Sequence, residues 1–329
     1  MSDRYKGVPV LVTGATGFIG SRLAERLLDR GAEVIVPRRD EPARSYFRIA
    51  GLEERCTVVQ ADLLDFDALV RIVNEHGVKA VFHLAAQTIV GTANRSPLST
   101  FESNIRGTYN LLEACRTAGV VGDPVERIVV ASSDKAYGSH DELPYREDFA
   151  LQPEYPYDVS KAATDMIARS YAITYGLPTA VTRFANIYGG GDFNLSRIVP
   201  DTAHALIKGE RPVIRSDGSP QRDYMHVEDA ARAYLCVADS LDDERNAGRA
   251  WNAGAGEPVA VIEIVRRIIA VSGRDLEPDI QGEGTPHGEI DRQWLDSTAI
   301  RQELGWEPEW DLDRGLAEAY GWYADHLDG

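Results

Sequence analysis

Short apolar runs and amphipathic stretches alternate through the first half of the chain. "VPVLVTG" is an apolar, β-rich run, and "FIGSRLAERLLDRG" follows with Ile19, Leu23 and Leu27 at i, i+4 and i+8 before Gly31. That is strand, turn, one-faced helix and glycine stop. "AEVIVP", "CTVVQADL", "KAVFHLAA", "RIVVASS" and "PTAVTRFANIYG" read as five further strands. "DFDALVRIVNEHG", "STFESNIRGTYNLLEACRTAG" and "SKAATDMIARSYAITYG" read as helices between them. Strands alternating with helices predict an α/β fold with a doubly wound parallel sheet. After Tyr188 the pattern loosens. "GGGDFNLSRIVP" and "RSDGSPQRDYMH" read as loops. A helix "VEDAARAYLCVADSL", a strand-like "AWNAG" and two helices about a proline turn in "STAIRQELGWEPEWDLDRGLAEAYGWYADHL" complete the chain. The expected organisation is a main domain of 1–188, to which 227–255 returns, and a smaller C-terminal lobe of 189–226 and 256–329.

Composition narrows the partners. The chain has 329 residues, 43% hydrophobic, and a net charge of −17. Nucleic acid and anionic membrane surfaces are therefore not expected partners, because a polyanion needs a basic face. A small anionic ligand is still compatible, since local arginines and backbone N–H groups can outweigh the global field. Cys56, Cys115 and Cys236 are odd in number and lie far apart, without a CxxC. Neither a disulfide framework nor a metal site is expected, and a reducing cytoplasm fits. No apolar run of about 18 residues occurs, and none precedes the first strand, so neither a membrane span nor a signal peptide is expected.

Gly14, Gly17 and Gly20 form GxxGxxG between a strand and a helix. Glycines there permit a tight turn and close backbone approach, and the helix N-terminus favours a pyrophosphate. This predicts a Rossmann-type dinucleotide site, with Thr16, Phe18 and Ile19 in the same turn. An acid at the end of the second strand would hold the ribose 2′-hydroxyl of NAD. Arg38 stands there instead, followed by Arg39, which suits the 2′-phosphate of NADP; Asp40 or Glu41 could restore the NAD pattern. The cofactor is thus NAD or NADP, with Arg38 leaning toward NADP. Asp62, beside Leu63, is placed either to touch the adenine edge or to cap a helix. Ala85 and Ala86 leave room for a cofactor, and His83 reads as a packed core histidine.

Tyr157 and Lys161 are spaced i, i+4 and share a helix face. An ammonium beside a phenol stabilises phenolate. That phenolate can take a hydroxyl proton while a nicotinamide takes hydride from the same carbon. Ser133 ends the preceding strand and could bond the same oxygen. "TGATGFIG", "HLAAQ", "SSDKAYG" and "YDVSK" together resemble the extended short-chain dehydrogenase/reductase family of nucleotide-sugar epimerases and dehydratases. "RFANIYG", "QRDYMHVEDAARAYL" and "LGWEPEWDLDRGL" extend the likeness over nearly the whole chain.

The resemblance implies catalysis by Ser133, Tyr157 and Lys161, a nucleotide-diphosphate sugar as substrate, and a homodimer through a four-helix bundle. It implies that Asn186, Arg222 and Arg292 contact the diphosphate and that Thr88 faces the sugar; His204 and His226 read as structural. After the strand-end serine, 4,6-dehydratases of this family commonly carry Asp-Glu, and the CDP-glucose group carries Asp-Lys, as in Asp134–Lys135. Epimerases tend to have small residues there. The resemblance thus implies a nucleotide-sugar 4,6-dehydratase, with Asp134 as acid at the C6 oxygen and Lys135 either assisting C5 deprotonation, which requires a depressed pKa, or stabilising the enolate. The alternatives are a 4-epimerase using the same serine, tyrosine and lysine, and a plain loop ion pair at Asp134–Lys135.

Overall fold

A computed structural model describes residues 3–40, 42–284 and 290–327. Its strands in chain order are β1 (Pro9–Thr13), β2 (Glu33–Arg38), β3 (Thr57–Gln60), β4 (Ala80–His83), β5 (Arg127–Ala131), β6 (Thr179–Phe184), β7 (Asn186–Tyr188), β8 (Val213–Ile214), β9 (Gln221–His226), β10 (Ala250–Ala253), β11 (Pro258–Ala260), β12 (Asp279–Ile280) and β13 (Arg292–Gln293). Seven of them form one sheet in the order β10-β6-β5-β4-β1-β2-β3. From β3 to β6 the neighbours pair in parallel. Chain order reverses between β1 and β4, so a crevice opens at their C-terminal ends, the place where open α/β sheets take ligands. Leu11, Ile35, Val81, Ile128, Val130 and Val181 from this sheet are buried with Leu69, Leu111 and Leu112 from flanking helices. Strands covered on both faces read as continuous apolar runs, which is why the sequence marks them clearly.

The chain forms two compact units. One comprises 1–138, 150–183 and 231–251; the other comprises 139–149, 184–230 and 252–329. In the second unit β9 pairs antiparallel with β11 and parallel with β13 and β7. Tyr188, Tyr224, Leu206, Ile264, Ile268, Leu316 and Tyr323 share its core.

Two readings of the sequence are corrected here. "PTAVTRFANIYG" is two strands, not one. Ala185 N–H donates to Ala253 O, and from Asn186 the backbone pairs with β9 instead. "QRDYMH" is not a loop but β9, buried from Arg222 to His226. Its alternation of Arg, Asp and His hides a strand whose polar side chains are buried and partnered. The helix Val261–Ser272 was also not singled out, although Ile264, Val265, Ile268 and Ile269 line one face of it.

Candidate active site

The glycine turn has the shape a dinucleotide needs. Gly14 has φ +76°, and a Cβ there would lie 2.7 Å from Ala85 N. A Cβ on Gly20 would lie 2.2 Å from Gly14 O, so the helix can approach the turn only without a side chain. Gly17 is the N-cap of Phe18–Asp29 and supplies no side-chain bond, leaving the first N–H groups for a pyrophosphate. Thr16, Phe18 and Ile19 are half-buried around it. Across the crevice Ala85 N–H donates to Thr13 Oγ1 at 3.2 Å, and Ala86 follows, also half-buried. This small-residue cradle fits a dinucleotide.

His83 locks that edge. Its Nε2 faces Thr108 Oγ1 at 2.9 Å, and the Thr108 hydroxyl donates to Asn104 O at 2.5 Å. Nε2 is therefore the donor, and Nδ1 accepts from Thr13 Oγ1 at 2.7 Å. Burial, and next the Lys161 charge, push His83 down to about 3, so the imidazole is neutral. It is a core histidine, as the sequence suggests.

Arg38 ends β2 and bonds Glu53 at 2.7 Å. Arg39 bonds Asp40 at the surface, and Glu41 lies outside the described residues. Asp62 accepts Leu64 N–H at 3.0 Å. The cap of the helix that follows is Asp65, whose carboxylate takes Ala68 N–H at 3.0 Å, so the capping option for Asp62 is corrected. Leu63 packs where a Cβ on Gly107 would come within 3.1 Å, and its carbonyl accepts from Asn110 Nδ2.

Tyr157 and Lys161 sit, both buried, in the first turns of Pro156–Tyr175. Pro156 at the start suits the helix N-terminus, where no N–H is required. Lys161 Nζ donates to Ala131 O, the last residue of β5, at 2.7 Å. Ser132 Oγ donates back to Lys161 O at 3.1 Å, so strand end and helix are tied twice. Burial lowers Lys161 to about 8. Ser133 caps the short turn Asp134–Tyr137: its Oγ accepts Lys135 N–H at 3.2 Å and donates to Asp134 Oδ1 at 2.9 Å. Asp134 is 4% exposed, while Lys135 is half-exposed. Thr88 is exposed, in the loop after β4.

Asn104 is a residue that the sequence reading passed over. It lies in a π-helical turn, Glu102–Arg106, inside the stretch read as one regular helix. Its Oδ1 accepts Gln87 N–H at 2.7 Å, and its Nδ2 faces Gln87 O at 3.1 Å and Ser160 Oγ at 2.9 Å. Ser160 donates to Tyr157 O at 2.7 Å. Asn104 thus ties the loop after β4 to the helix carrying Tyr157 and Lys161. The available signal was a polar Asn104 and Thr108 on the inward stripe shared with Leu111 and Cys115.

In the second unit the expected phosphate contacts divide. The β13–β9 register sets Arg292 beside Gln221 and Gln293 beside Arg222. Successive strand residues face opposite ways, so Arg222 and Arg292 lie on opposite faces. Arg222 is buried, with Nη1 on Gln221 O and Asp291 O; Arg292 is exposed, with Nε 3.3 Å from Gln221 Oε1. Asn186 stands beside Tyr224, on the Arg222 face. Its Nδ2 is buried without a hydrogen-bond partner, as are both amide atoms of Gln293. His226 is structural, stacked on Trp310 at 4.1 Å and 3.1 Å from Glu318 Oε2. His204 lies in the last turn of Ile198–Ile207.

A family model described as the NAD dependent epimerase/dehydratase family matches residues 10–254. The chain belongs to this family. Among curated relatives it is 30% identical to the CDP-glucose 4,6-dehydratase of Salmonella typhimurium, over 99% of this chain and 93% of that one. Among solved structures it resembles the UDP-glucose 4-epimerase of Thermotoga maritima, solved with UDP-glucose, at TM-score 0.89 and 29% identity, covering 98% and 100%. It also resembles the dTDP-glucose 4,6-dehydratase of Streptomyces venezuelae, solved with NAD, at TM-score 0.86 and 30% identity, covering 97% and 98%. As a member of an epimerase/dehydratase family, the chain carries the cradle and the Ser133, Tyr157, Lys161 set on one Rossmann-type sheet. Among the described residues, no helix is long and apolar enough to cross a membrane.

Proposed function

We propose that this protein is a nucleotide-sugar 4,6-dehydratase that uses NAD. The observation carrying this reading is the Ser133–Asp134 bond, which puts a buried carboxyl directly against the serine of the oxidation site. Tyr157, as phenolate beside the Lys161 ammonium, takes the O4 proton. Bound NAD would supply the acceptor for the C4 hydride and the donor that delivers it to C6. The resulting 4-ketone acidifies C5–H. Lys135, acting as the free amine, takes that proton, and Asp134, acting as the carboxylic acid, gives one to the C6 hydroxyl, which leaves as water. Lys135 then returns its proton to C5. The proton that Tyr157 gained balances the one that Asp134 lost, so the net change is loss of one water.

Asn186 and Arg222 are assigned to the diphosphate, supported by the orphaned Asn186 Nδ2 beside the same strand face. A neutral amide donor and a guanidinium suit phosphate oxygens. Arg292 is assigned an outer contact at most, since it faces the other way. At the cofactor, a 2′-phosphate must draw Arg38 away from Glu53, so NADP is accepted less well than NAD. In the Glu53→Gln variant the affinity ratio of NADP to NAD should rise; an unchanged ratio contradicts this role of Arg38.

A homodimer through the helices 97–121 and 156–175 is also proposed. Leu98, Met166 and Ile173 are 72, 63 and 76% exposed there, and Met166 and Ile173 are seven residues apart on one face. The three free cysteines suit a reducing compartment. The functional reading is tested by Asp134→Asn and Lys135→Ala with CDP-, dTDP- and UDP-glucose. Both should oxidise C4 yet release little dehydrated product. Wild-type water loss in both variants contradicts the assignment.

A further inference from the structure

Asp134 and Lys135 share their short turn with Tyr137, a residue to which nothing in the proposed chemistry gives a task. Tyr137 is fully buried. Its hydroxyl accepts from Arg183 Nη1 at 2.9 Å, and the guanidinium carbon lies 4.8 Å from its ring centroid. Arg183 comes from β6 and is 1% exposed. Its other edge is held in a fork by Asp165, Nε to Oδ2 at 2.8 Å and Nη2 to Oδ1 at 3.0 Å. Asp165 is fully buried and stands four residues after Lys161, on the same helix face.

The three side chains therefore link the turn bearing Asp134 and Lys135 to the helix bearing Tyr157 and Lys161. A buried charge pair is by itself a weak source of stability, whereas this one joins two neighbours whose relative placement the chemistry needs. Here the planar guanidinium fixes both neighbours at once, since its fork leaves little torsional freedom. The two ends that it joins carry the two stages of the chemistry.

We infer that Tyr137, held by Arg183 and Asp165, is a positioning residue for the elimination stage. It sets Asp134 and Lys135 against C5 and C6 of a sugar whose C4 is already placed by Ser133 and Tyr157. This rests on the dehydratase reading above. Losing the Tyr137 hydroxyl loosens the far end of the turn and leaves the Ser133 cap, the helix and its ion pair in place, so water loss suffers well before C4 oxidation does.

The test uses the NAD-loaded enzyme with Tyr137→Phe, and Arg183→Lys as a second variant. Lysine keeps a charge for Asp165 but cannot bond both neighbours in fixed geometry. Tyr171→Phe is the control, on the same helix, where the hydroxyl bonds Glu113 at 3.2 Å. Two rates are read separately: appearance of reduced nicotinamide on mixing with sugar nucleotide, and release of dehydrated sugar by mass. The inference expects oxidation within about twofold of wild type and water loss slowed at least about tenfold in Tyr137→Phe and Arg183→Lys, with reduced nicotinamide accumulating. Tyr171→Phe should match wild type. A merely structural role slows both stages by one factor, and that result, or no change, overturns the inference. If Asp134→Asn loses water release while Tyr137→Phe keeps it, the inference alone fails. A wild-type enzyme that returns only the C4 epimer sinks the dehydratase reading and the inference together.

Discussion

At the scale of single residues, Lys161 carries the most physical information. Burial lowers it to about 8 from the ordinary 10.5, so the native state gives up this proton before the unfolded chain does. Folding thus pays a penalty at every pH below about 8, and that penalty fades as pH rises from 8 to 10.5. Denaturant unfolding should show the wild type gaining up to ~3 kcal/mol over that window relative to Lys161→Met, which has no such titration. Parallel curves for the two proteins would contradict the burial account. Tyr157→Phe should slow C4 oxidation by about a hundredfold or more while nucleotide binding persists, as stopped-flow and binding titration can check. Tyr157 and Lys161 were legible as one helix face from their i, i+4 spacing alone, and Ser133 as the end of an apolar strand. The divergence of Arg222 and Arg292 was not, because it depends on the register of a two-residue strand. Asn104 was hidden too, since a polar residue on an inward helical stripe leaves no apolar mark in the pattern.

At the scale of elements, the turn after β1 is fixed by what cannot be there. Gly20→Ala puts a Cβ 2.2 Å from Gly14 O, so helix and turn must separate. Thermal unfolding should report a loss of about 1–3 kcal/mol, and NAD should bind more weakly. Unchanged melting and affinity would mean that the turn yields without cost. The parallel strands were readable because each is an apolar run between helices. β9 was not, because Arg222, Asp223 and His226 are buried polar residues whose partners come from distant segments. Asp223, for one, accepts N–H groups from Ala255 and Gly256. Burial of that kind is satisfied in three dimensions and leaves no hydrophobic pattern behind.

At the scale of the whole molecule, the exposed Leu98, Met166 and Ile173 belong to the proposed dimer face. Met166→Glu with Ile173→Glu should shift the protein from dimer to monomer in sedimentation, and an unchanged mass would remove these helices from the interface. The central claim, however, concerns what leaves the sugar. The direct measurement is to give the wild-type enzyme glucose nucleotides deuterated at C4 and to read product mass and NMR. A product one water lighter, with the deuterium now on C6, is what the account predicts. A product of unchanged mass, with deuterium still at an inverted C4, would contradict it.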